Sequence, residues 1–385
     1  MEFSRRKFFQ TLGTGAAISA ASQLSAASFA SAAAFESAKI SGGPILLNEN
    51  ENVYGPSAKV IAAIRSAASS ANRYPDQGYA GLIKKIADLH RVTPEQVVMG
   101  CGSTEILRVV VEALLRPGKR VVQASPTYEA IEVFGRTFGA EVVSVPLTKE
   151  FAHDLPGMLA HVDGNTPLVY ICNPNNPTAT LTPRRDLETF IAKLPANCHV
   201  FIDEAYHHYA GESSMYRSFI DDPIQDERVI VSRTFSKIYA LAGLRLGYAI
   251  ASAELVKRFD PYLIWSSING VAVKAATAAL DDVQSVHDFT KRNADTRQEF
   301  FNQAMARMLK PIDSHANFVM MNVEHPGQGV IEHFQKNGIL IGRRFPPMDT
   351  YVRVSLGTSS QMNEFWRVWD RLPFAKMMQM NHLKS

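Results

Sequence analysis

Cysteine is scarce in this 385-residue chain. There are three, Cys101, Cys172 and Cys198, an odd number with no C-x-x-C spacing, which argues against a disulfide framework and against a cysteine-ligated zinc site. His207 and His208 stand apart from any cysteine or carboxylate cluster at ligand spacing, so no metal is expected and they read as ordinary polar residues. Charge of one sign is also lacking. The formal net charge is +3 and the body of the chain has no long basic run, which makes nucleic acid and anionic membrane surfaces poor partners. No internal repeat and no heptad run is present. What remains, 46% hydrophobic, 20% charged and 9% aromatic residues, is an ordinary globular composition in a chain long enough for one large and one small domain.

The first 35 residues differ from the rest. Ser4-Arg5-Arg6-Lys7-Phe8-Phe9 is a twin-arginine pair with an apolar follow-up, and an Ala/Ser/Gly-rich stretch runs from Thr11 to about Ala34. The small residues Ala30-Ser31-Ala32 offer a cleavage site, and residues 1–34 read as a twin-arginine signal that sends a folded bacterial protein to the periplasm or beyond. The stretch holds too much Ser, Thr and Gln for a membrane span, so no stable membrane association is expected. A low-complexity N-terminus on a cytoplasmic protein is the alternative.

From about residue 97 to 251, short apolar runs alternate with longer amphipathic ones. The strand-like runs are 97–99, 120–123, 141–145, 168–172, 200–202, 229–231 and 247–250. In one intervening segment Ile106, Val109, Val110, Ala113 and Leu114 share a helical face, ended by Pro117-Gly118. Seven such strands with helices between them predict an α/β fold, with a mostly parallel seven-stranded sheet covered on both faces. Beyond residue 260 a long helical stretch, roughly Asn269 to Met308, precedes strands at 316–321 and 351–355. A closing helix over Asn363–Arg371, capped by Asn363, completes a smaller α+β domain. The resulting division is an N-terminal segment 35–70, a large domain 71–262 and a small domain 263–385.

The loops that follow the strands carry the chemistry. Ser232-Arg233-Thr234-Phe235-Ser236-Lys237 places a lysine in a hydroxyl-rich loop after an apolar strand. A lysine held there and partly desolvated suits Schiff-base chemistry. Gly100-Cys101-Gly102-Ser103-Thr104-Glu105 joins a strand to a helix, where free N–H groups and the dipole favour an anion. Ser236 and Arg245 would add donors to the same phosphate. Pro126-Thr127-Tyr128 offers a stacking ring, although such a turn can equally pack its ring in the core. Asn173-Pro174-Asn175-Asn176-Pro177-Thr178 is a proline-fixed loop rich in amides. Asp203-Glu204-Ala205-Tyr206 ends a strand with a carboxylate able to pair with a protonated ring nitrogen, and with a phenol able to donate to a ring oxygen. Lysine, aspartate, amide, phenol, stacking ring and phosphate cup together describe a site for pyridoxal 5'-phosphate.

These motifs resemble those of the class I/II, fold type I aminotransferases, and most of all the histidinol-phosphate aminotransferases. The resemblance runs from about Leu47 to Gly357 and includes Asn48-Glu49-Asn50, Tyr54-Gly55-Pro56, Arg73-Tyr74-Pro75-Asp76, Ala316-Asn317-Phe318 and Arg353-Val354-Ser355-Leu356-Gly357-Thr358. It implies that Lys237 is the Schiff-base lysine and proton carrier, and that Asp203 holds the pyridinium. Asn176 and Tyr206 would bind the ring hydroxyl, and Tyr128 would stack. Gly102, Ser103, Thr104, Thr234, Ser236 and Arg245 would form the phosphate end. It further implies that Tyr54 reaches a partner subunit's cofactor in a homodimer, and that Arg353, Asn317 and Arg343 bind substrate. The implied reaction moves an amino group from an L-amino acid or related amine, histidinol phosphate among them, to a 2-oxo acid. Decarboxylation or racemisation would use the same cofactor set, and a non-catalytic exported binding protein is a third reading. Two departures stand out. Ala179 replaces the family's glycine, and Gly342-Arg343-Arg344-Phe345-Pro346-Pro347 only loosely matches the stretch that carries the family's other substrate-binding arginine.

Overall fold

The computed structural model describes residues 43–375 except 76, 77 and 212. The leader at 1–34 and Asp76 lie outside the described residues. The strands are β1 (Ile45–Leu47), β2 (Val97–Gly100), β3 (Arg120–Ser125), β4 (Glu141–Pro146), β5 (Leu168–Cys172), β6 (His199–Asp203), β7 (Val229–Thr234), β8 (Gly247–Ile250), β9 (Lys310–Pro311), β10 (Phe318–Asn322), β11 (Ile339–Ile341) and β12 (Tyr351–Ser355).

Seven of them form the central sheet, in the order β2-β8-β7-β6-β5-β3-β4. They correspond to the seven apolar runs in the sequence. β5 is buried at all five positions and packs on both sides. Val169 and Ile171 join one core, while Leu168, Tyr170 and Cys172 join the other. Burial on both faces is why inner strands such as β5 read as continuous apolar runs without polar alternation, whereas the edge strand β4 is exposed at three of its six positions. The helices Gly78–His90, Arg184–Ala192 and Gly270–Leu280 cover the first face, and Ser103–Leu114, Ala130–Thr137 and Ala253–Phe259 the second. One strand breaks the parallel pattern: β8 runs antiparallel to both β2 and β7. The segment from Thr234 to Gly247 holds only the short helical turn Ala242–Leu244, and a parallel return needs a crossover helix.

A second group of elements lies towards the C-terminus. β12-β10-β9 form an antiparallel sheet, and β1 pairs in parallel with β11. Their core is aromatic. Phe334 stacks on Phe365 at 4.7 Å between centroids, and Phe300, Trp366 and Trp369 complete the cluster.

Two expectations are corrected here. The stretch 269–308 is two helices, Gly270–Leu280 and Val283–Ala306. Asp282 separates them, its carboxylate accepting from Ser285 Oγ at 2.8 Å. The closing helix is Ser359–Trp369, capped by Thr358 rather than Asn363, which lies inside it. Thr358 Oγ1 accepts from Gln361 N, while Gln361 Oε1 accepts from Thr358 N at 2.9 Å. This reciprocal box satisfies two helix-end donors at once. Thr358→Ala should therefore lower unfolding free energy by about 1 kcal/mol, measured by denaturant titration, whereas Asn363→Ala should cost less than half of that.

Candidate active site

The carboxyl ends of β5, β6 and β7 and the turn after β2 open onto one cavity of about 370 Å³. Ser103, Thr104, Tyr128, Asn176, Asp203, Tyr206, Thr234, Ser236, Lys237, Arg245, Arg343 and Arg353 all line it.

One end is a cationic cup. Gly102, at φ 75°, turns the chain from β2 into the helix Ser103–Leu114, whose first N–H groups have no helical partner. Arg245 closes on this turn from a left-handed backbone, φ 57° and ψ 71°. It donates to Ala242 O at 2.9 Å and to Ser236 Oγ at 3.4 Å. A Cβ on residue 102 would collide with the Arg245 guanidinium, and one on Gly247 would lie 2.5 Å from Ser103 N. Both glycines are thus required by close approach. Thr234 Oγ1 accepts from Ser236 N at 3.1 Å and fixes the hydroxyl-rich loop. Among the described residues no carboxylate pairs with Arg245, so the cup keeps its charge for an external anion. Behind it Glu105 braces the turn, accepting from Cys101 N at 2.5 Å and from Ser267 Oγ at 3.1 Å.

The opposite end is anionic. Asp203 closes β6 and is buried, with no Lys or Arg beside it among the described residues. Burial pushes its carboxyl up to about 6, against hydrogen bonds from Ser232 Oγ and Tyr170 OH, each at 3.2 Å, and from Ala205 N at 3.1 Å. Between the two ends stands the half-buried ring of Tyr128, its hydroxyl 3.5 Å from Thr104 Oγ1. The Tyr128 turn is tied to the amide-rich loop, because Thr127 Oγ1 donates to Asn175 Oδ1 at 2.8 Å and Asn175 Nδ2 to Pro126 O at 3.1 Å.

Lys237 lies on the cavity wall, donating to Glu49 O at 3.1 Å. Burial, helped by the Arg353 charge, lowers its amine to about 8. Tyr206 accepts from Asn50 Nδ2 at 3.1 Å and packs edge-on against Phe318. Burial holds its phenol well above the usual range. Arg353 extends from β12, donating to Asn176 Oδ1 at 2.7 Å and to Asn48 O at 2.6 Å, while its buried Nε has no partner.

Not every expected residue faces the cavity. Asn317 braces the loop behind it, donating to Asn50 O at 3.0 Å and Glu51 O at 3.2 Å. Tyr54 stacks on Phe289 at 6.0 Å, with the Arg292 guanidinium 5.1 Å from its ring, away from its own chain's cavity. Arg343 is at the mouth, ion-paired with Glu129. Glu129, Phe345, Asn50 and the Asp203 partner Tyr170 were not singled out from sequence. Asn50 lay in the Asn48-Glu49-Asn50 motif and Phe345 in the loosely matching stretch that begins at Gly342. Ala179 adopts φ 63°, a conformation costing an alanine roughly 1 kcal/mol. Its fully buried methyl packs in a cluster with Tyr206 and Phe318, which offsets part of that cost.

The lowered amine makes a direct prediction. An amine must be neutral to react, so labelling of Lys237 by an amine-directed reagent in cofactor-free protein should rise with pH through a midpoint near 8. An ordinary lysine amine, with a pKa of about 10.4, would still be gaining reactivity at pH 10. Peptide mapping of the labelled sites checks this.

An anion cup, a stacking ring, a buried unpaired carboxylate and an activated amine around one cavity fit pyridoxal 5'-phosphate at each of its functional groups. The relatives agree with this reading. The chain is 38% identical over 322 residues to histidinol-phosphate aminotransferase 2 of Carboxydothermus hydrogenoformans, covering 83% of this chain and 88% of that protein. It is 35% identical over 324 residues to an aromatic amino acid aminotransferase of Rhodococcus jostii, with 84% and 88% covered. A crystal structure of histidinol-phosphate aminotransferase from Sinorhizobium meliloti, in complex with pyridoxal-5'-phosphate, superposes with a TM-score of 0.80 at 28% identity, covering 86% of this chain and 90% of that one. Residues 43–368 match the family described as aminotransferase class I and II, and the chain belongs to that family.

Proposed function

We propose that this pyridoxal-phosphate-dependent aminotransferase takes its amino group from a donor with one anionic group near the reacting carbon and a flat ring beyond it. Histidinol phosphate and the aromatic L-amino acids are donors of that description, with a 2-oxo acid as acceptor. The observation that carries this reading is Arg353: a buried guanidinium on the cavity wall held only by neutral oxygens, and so available to one anion. The names of the relatives, histidinol-phosphate aminotransferase and aromatic amino acid aminotransferase, support the ring. So does Phe345, which lines the cavity beside Arg353.

When bound, pyridoxal phosphate supplies an aldehyde that condenses with amines and a ring that withdraws electrons from the bond being broken. The rest falls to the chain. The cup of Ser103, Thr104, Ser236 and Arg245 would hold the phosphate. Asp203 would keep a proton on the ring nitrogen, since a cation beside the buried carboxylate removes the penalty that raises its pKa. Asn176 and Tyr206 would hydrogen-bond the ring oxygen. Arg353 would fix the donor's anion in a setting walled by Phe318 at 5.4 Å and Phe345 at 4.7 Å from its guanidinium. Excluding water there strengthens the ion pair. Lys237, poised near neutrality, would carry the proton from the donor's α-carbon.

A homodimer forms part of the proposal. Trp265 is 91% exposed, Tyr74 82% and Ile264 60%, on adjoining segments: a Cβ on Gly270 would lie 3.5 Å from Pro75. The same segment reaches the anion cup through the Ser267–Glu105 bond. A second copy covering these side chains would bring its own residues beside the phosphate end. Export through the twin-arginine pair Arg5-Arg6 also belongs to the proposal, supported by the sequence of the leader.

The test is the visible absorption of the pyridoxal-phosphate-loaded protein on adding single donors. Histidinol phosphate or an aromatic L-amino acid should bleach the band with higher kcat/KM than L-aspartate, and a 2-oxo acid should restore it. Absence of a shift with every amino donor would overturn the reading. Arg353→Ala should lower kcat/KM on the order of 100-fold or more, because it removes the buried partner of the donor's anion.

A further inference from the structure

Two arginines share one aromatic ring at the mouth of the cavity. Phe345, buried between β11 and β12, has the Arg353 guanidinium at 4.7 Å and the Arg343 guanidinium at 4.5 Å from its centroid. Their partners differ. Arg353 is held by the neutral oxygens of Asn176 and Asn48, whereas Arg343 is held by the carboxylate of Glu129.

Glu129 reaches Arg343 from the other side of the cavity. It follows the ring of Tyr128 directly and occupies the N-cap position of the helix Ala130–Thr137, yet its side chain caps no helix N–H. The carboxylate is free of the local task its position would give it, and it pairs with an arginine 214 positions away. Arg343 is in turn fixed relative to Arg353, because Gly342 N donates to Arg353 O at 2.8 Å. One cation therefore faces the substrate's first anion, and a second, a ring's width away, is already neutralised by the protein.

We propose that Glu129 sets the charge selectivity of the cavity: by occupying Arg343 it denies that arginine to ligands carrying a second anionic group. The proposal rests on Arg353 as the anchor for the first anion. With Glu129 in place, the region beyond Phe345 is electrically balanced, and a neutral ring enters without leaving a charge unpaired. A dicarboxylate has to displace Glu129 from Arg343 and then lie beside it. Like charges brought together in this way discriminate against the wrong ligand. The pair is about half exposed on both sides, 55% for Arg343 and 51% for Glu129. Exposed pairs of this kind are weak, and the discrimination should amount to about fivefold rather than orders of magnitude.

The test uses ligands that cannot react. Calorimetric titration of the pyridoxal-phosphate-loaded protein with glutarate and with pentanoate compares two carboxylates against one on the same carbon chain. Glu129→Gln should tighten glutarate about fivefold and leave pentanoate within about twofold, while Glu129→Gln combined with Arg343→Gln should abolish the gain. An unchanged glutarate Kd in Glu129→Gln would overturn the proposal. So would equal tightening of pentanoate, or a gain that survives loss of Arg343. Failure of every form to bind either ligand would overturn it too, by removing the Arg353 anchor. Turnover of histidinol phosphate by the unaltered protein reports separately on the aminotransferase reading, since these ligands bind without reacting.

Discussion

A carboxylate buried without a cation is expensive, and the site is organised around one. Asp203 lies at the end of β6, in the middle of a sheet whose neighbouring strands are apolar on both faces. Its carboxyl is pushed up to about 6, which corresponds to a penalty on the order of 3 kcal/mol for keeping it charged at neutral pH. Three hydrogen bonds, from Ser232, Tyr170 and Ala205, hold the group in one orientation without supplying positive charge. Strand pairing fixes it further, with Cys172 and Ser232 as its neighbours in register. A charge that the protein orients but does not neutralise is the complement of a cationic ligand atom, and the protonated nitrogen of the pyridine ring is such an atom.

The other end of the cavity stores its cost in the backbone. Arg245 adopts a left-handed conformation that few non-glycine residues take. The benefit lies in where its guanidinium arrives, against a turn whose residue 102 has no side chain to obstruct it. Strain at such a position persists only when the surroundings over-determine it. Here Gly247 lets β8 close on Ser103, Glu105 ties the turn from behind, and Ser236 meets the arginine from the lysine loop. The anion cup and the buried aspartate are thus fixed independently, by the helix start on one side and by the parallel strands on the other. Lys237 stands on the wall of the space between them, its amine already lowered by the same burial.

Much of this was legible because it is local. Strands buried on both faces announce themselves as apolar runs, and all seven strands of the central sheet coincide with such runs. Ligand-binding loops follow such strands, and the sequence placed Lys237, Asp203, Asn176 and the Gly102–Thr104 turn in them. What escaped depends on distance along the chain. The direction of β8 follows from the length of its link to β7, not from its own residues. The cap at Thr358 lies in a Thr-x-x-Gln box that the apolar pattern five residues later obscured. The Glu129–Arg343 pair and the Tyr170 support of Asp203 join segments far apart in sequence, where no periodicity can bring them together. Asn317 shows the converse: it sits in a family motif, yet the chain turns it towards the loop behind the cavity.

The arginines of this chain show how a single residue type divides its work by the kind of partner it is given. Arg233, beneath the site, is buried against two carboxylates, 3.2 Å from Glu204 and 2.8 Å from Asp221. Its charge is spent within the fold, and it holds β7 to the segment around residue 220. Arg353 is as buried, but its hydrogen bonds go to an amide oxygen and a backbone oxygen, which fix the guanidinium without cancelling its charge. Arg245 is treated the same way, with a hydroxyl and a carbonyl as partners. Removing a partner from the first kind strands a buried charge, whereas the second kind is completed only when an anion arrives. Neutral acceptors around a guanidinium that lines the cavity, buried for Arg353 and exposed for Arg245, therefore mark the two arginines left open to an anion. By that criterion the cavity has two places for anions, one at Arg245 and one at Arg353, and Lys237 lies on the wall of the same cavity.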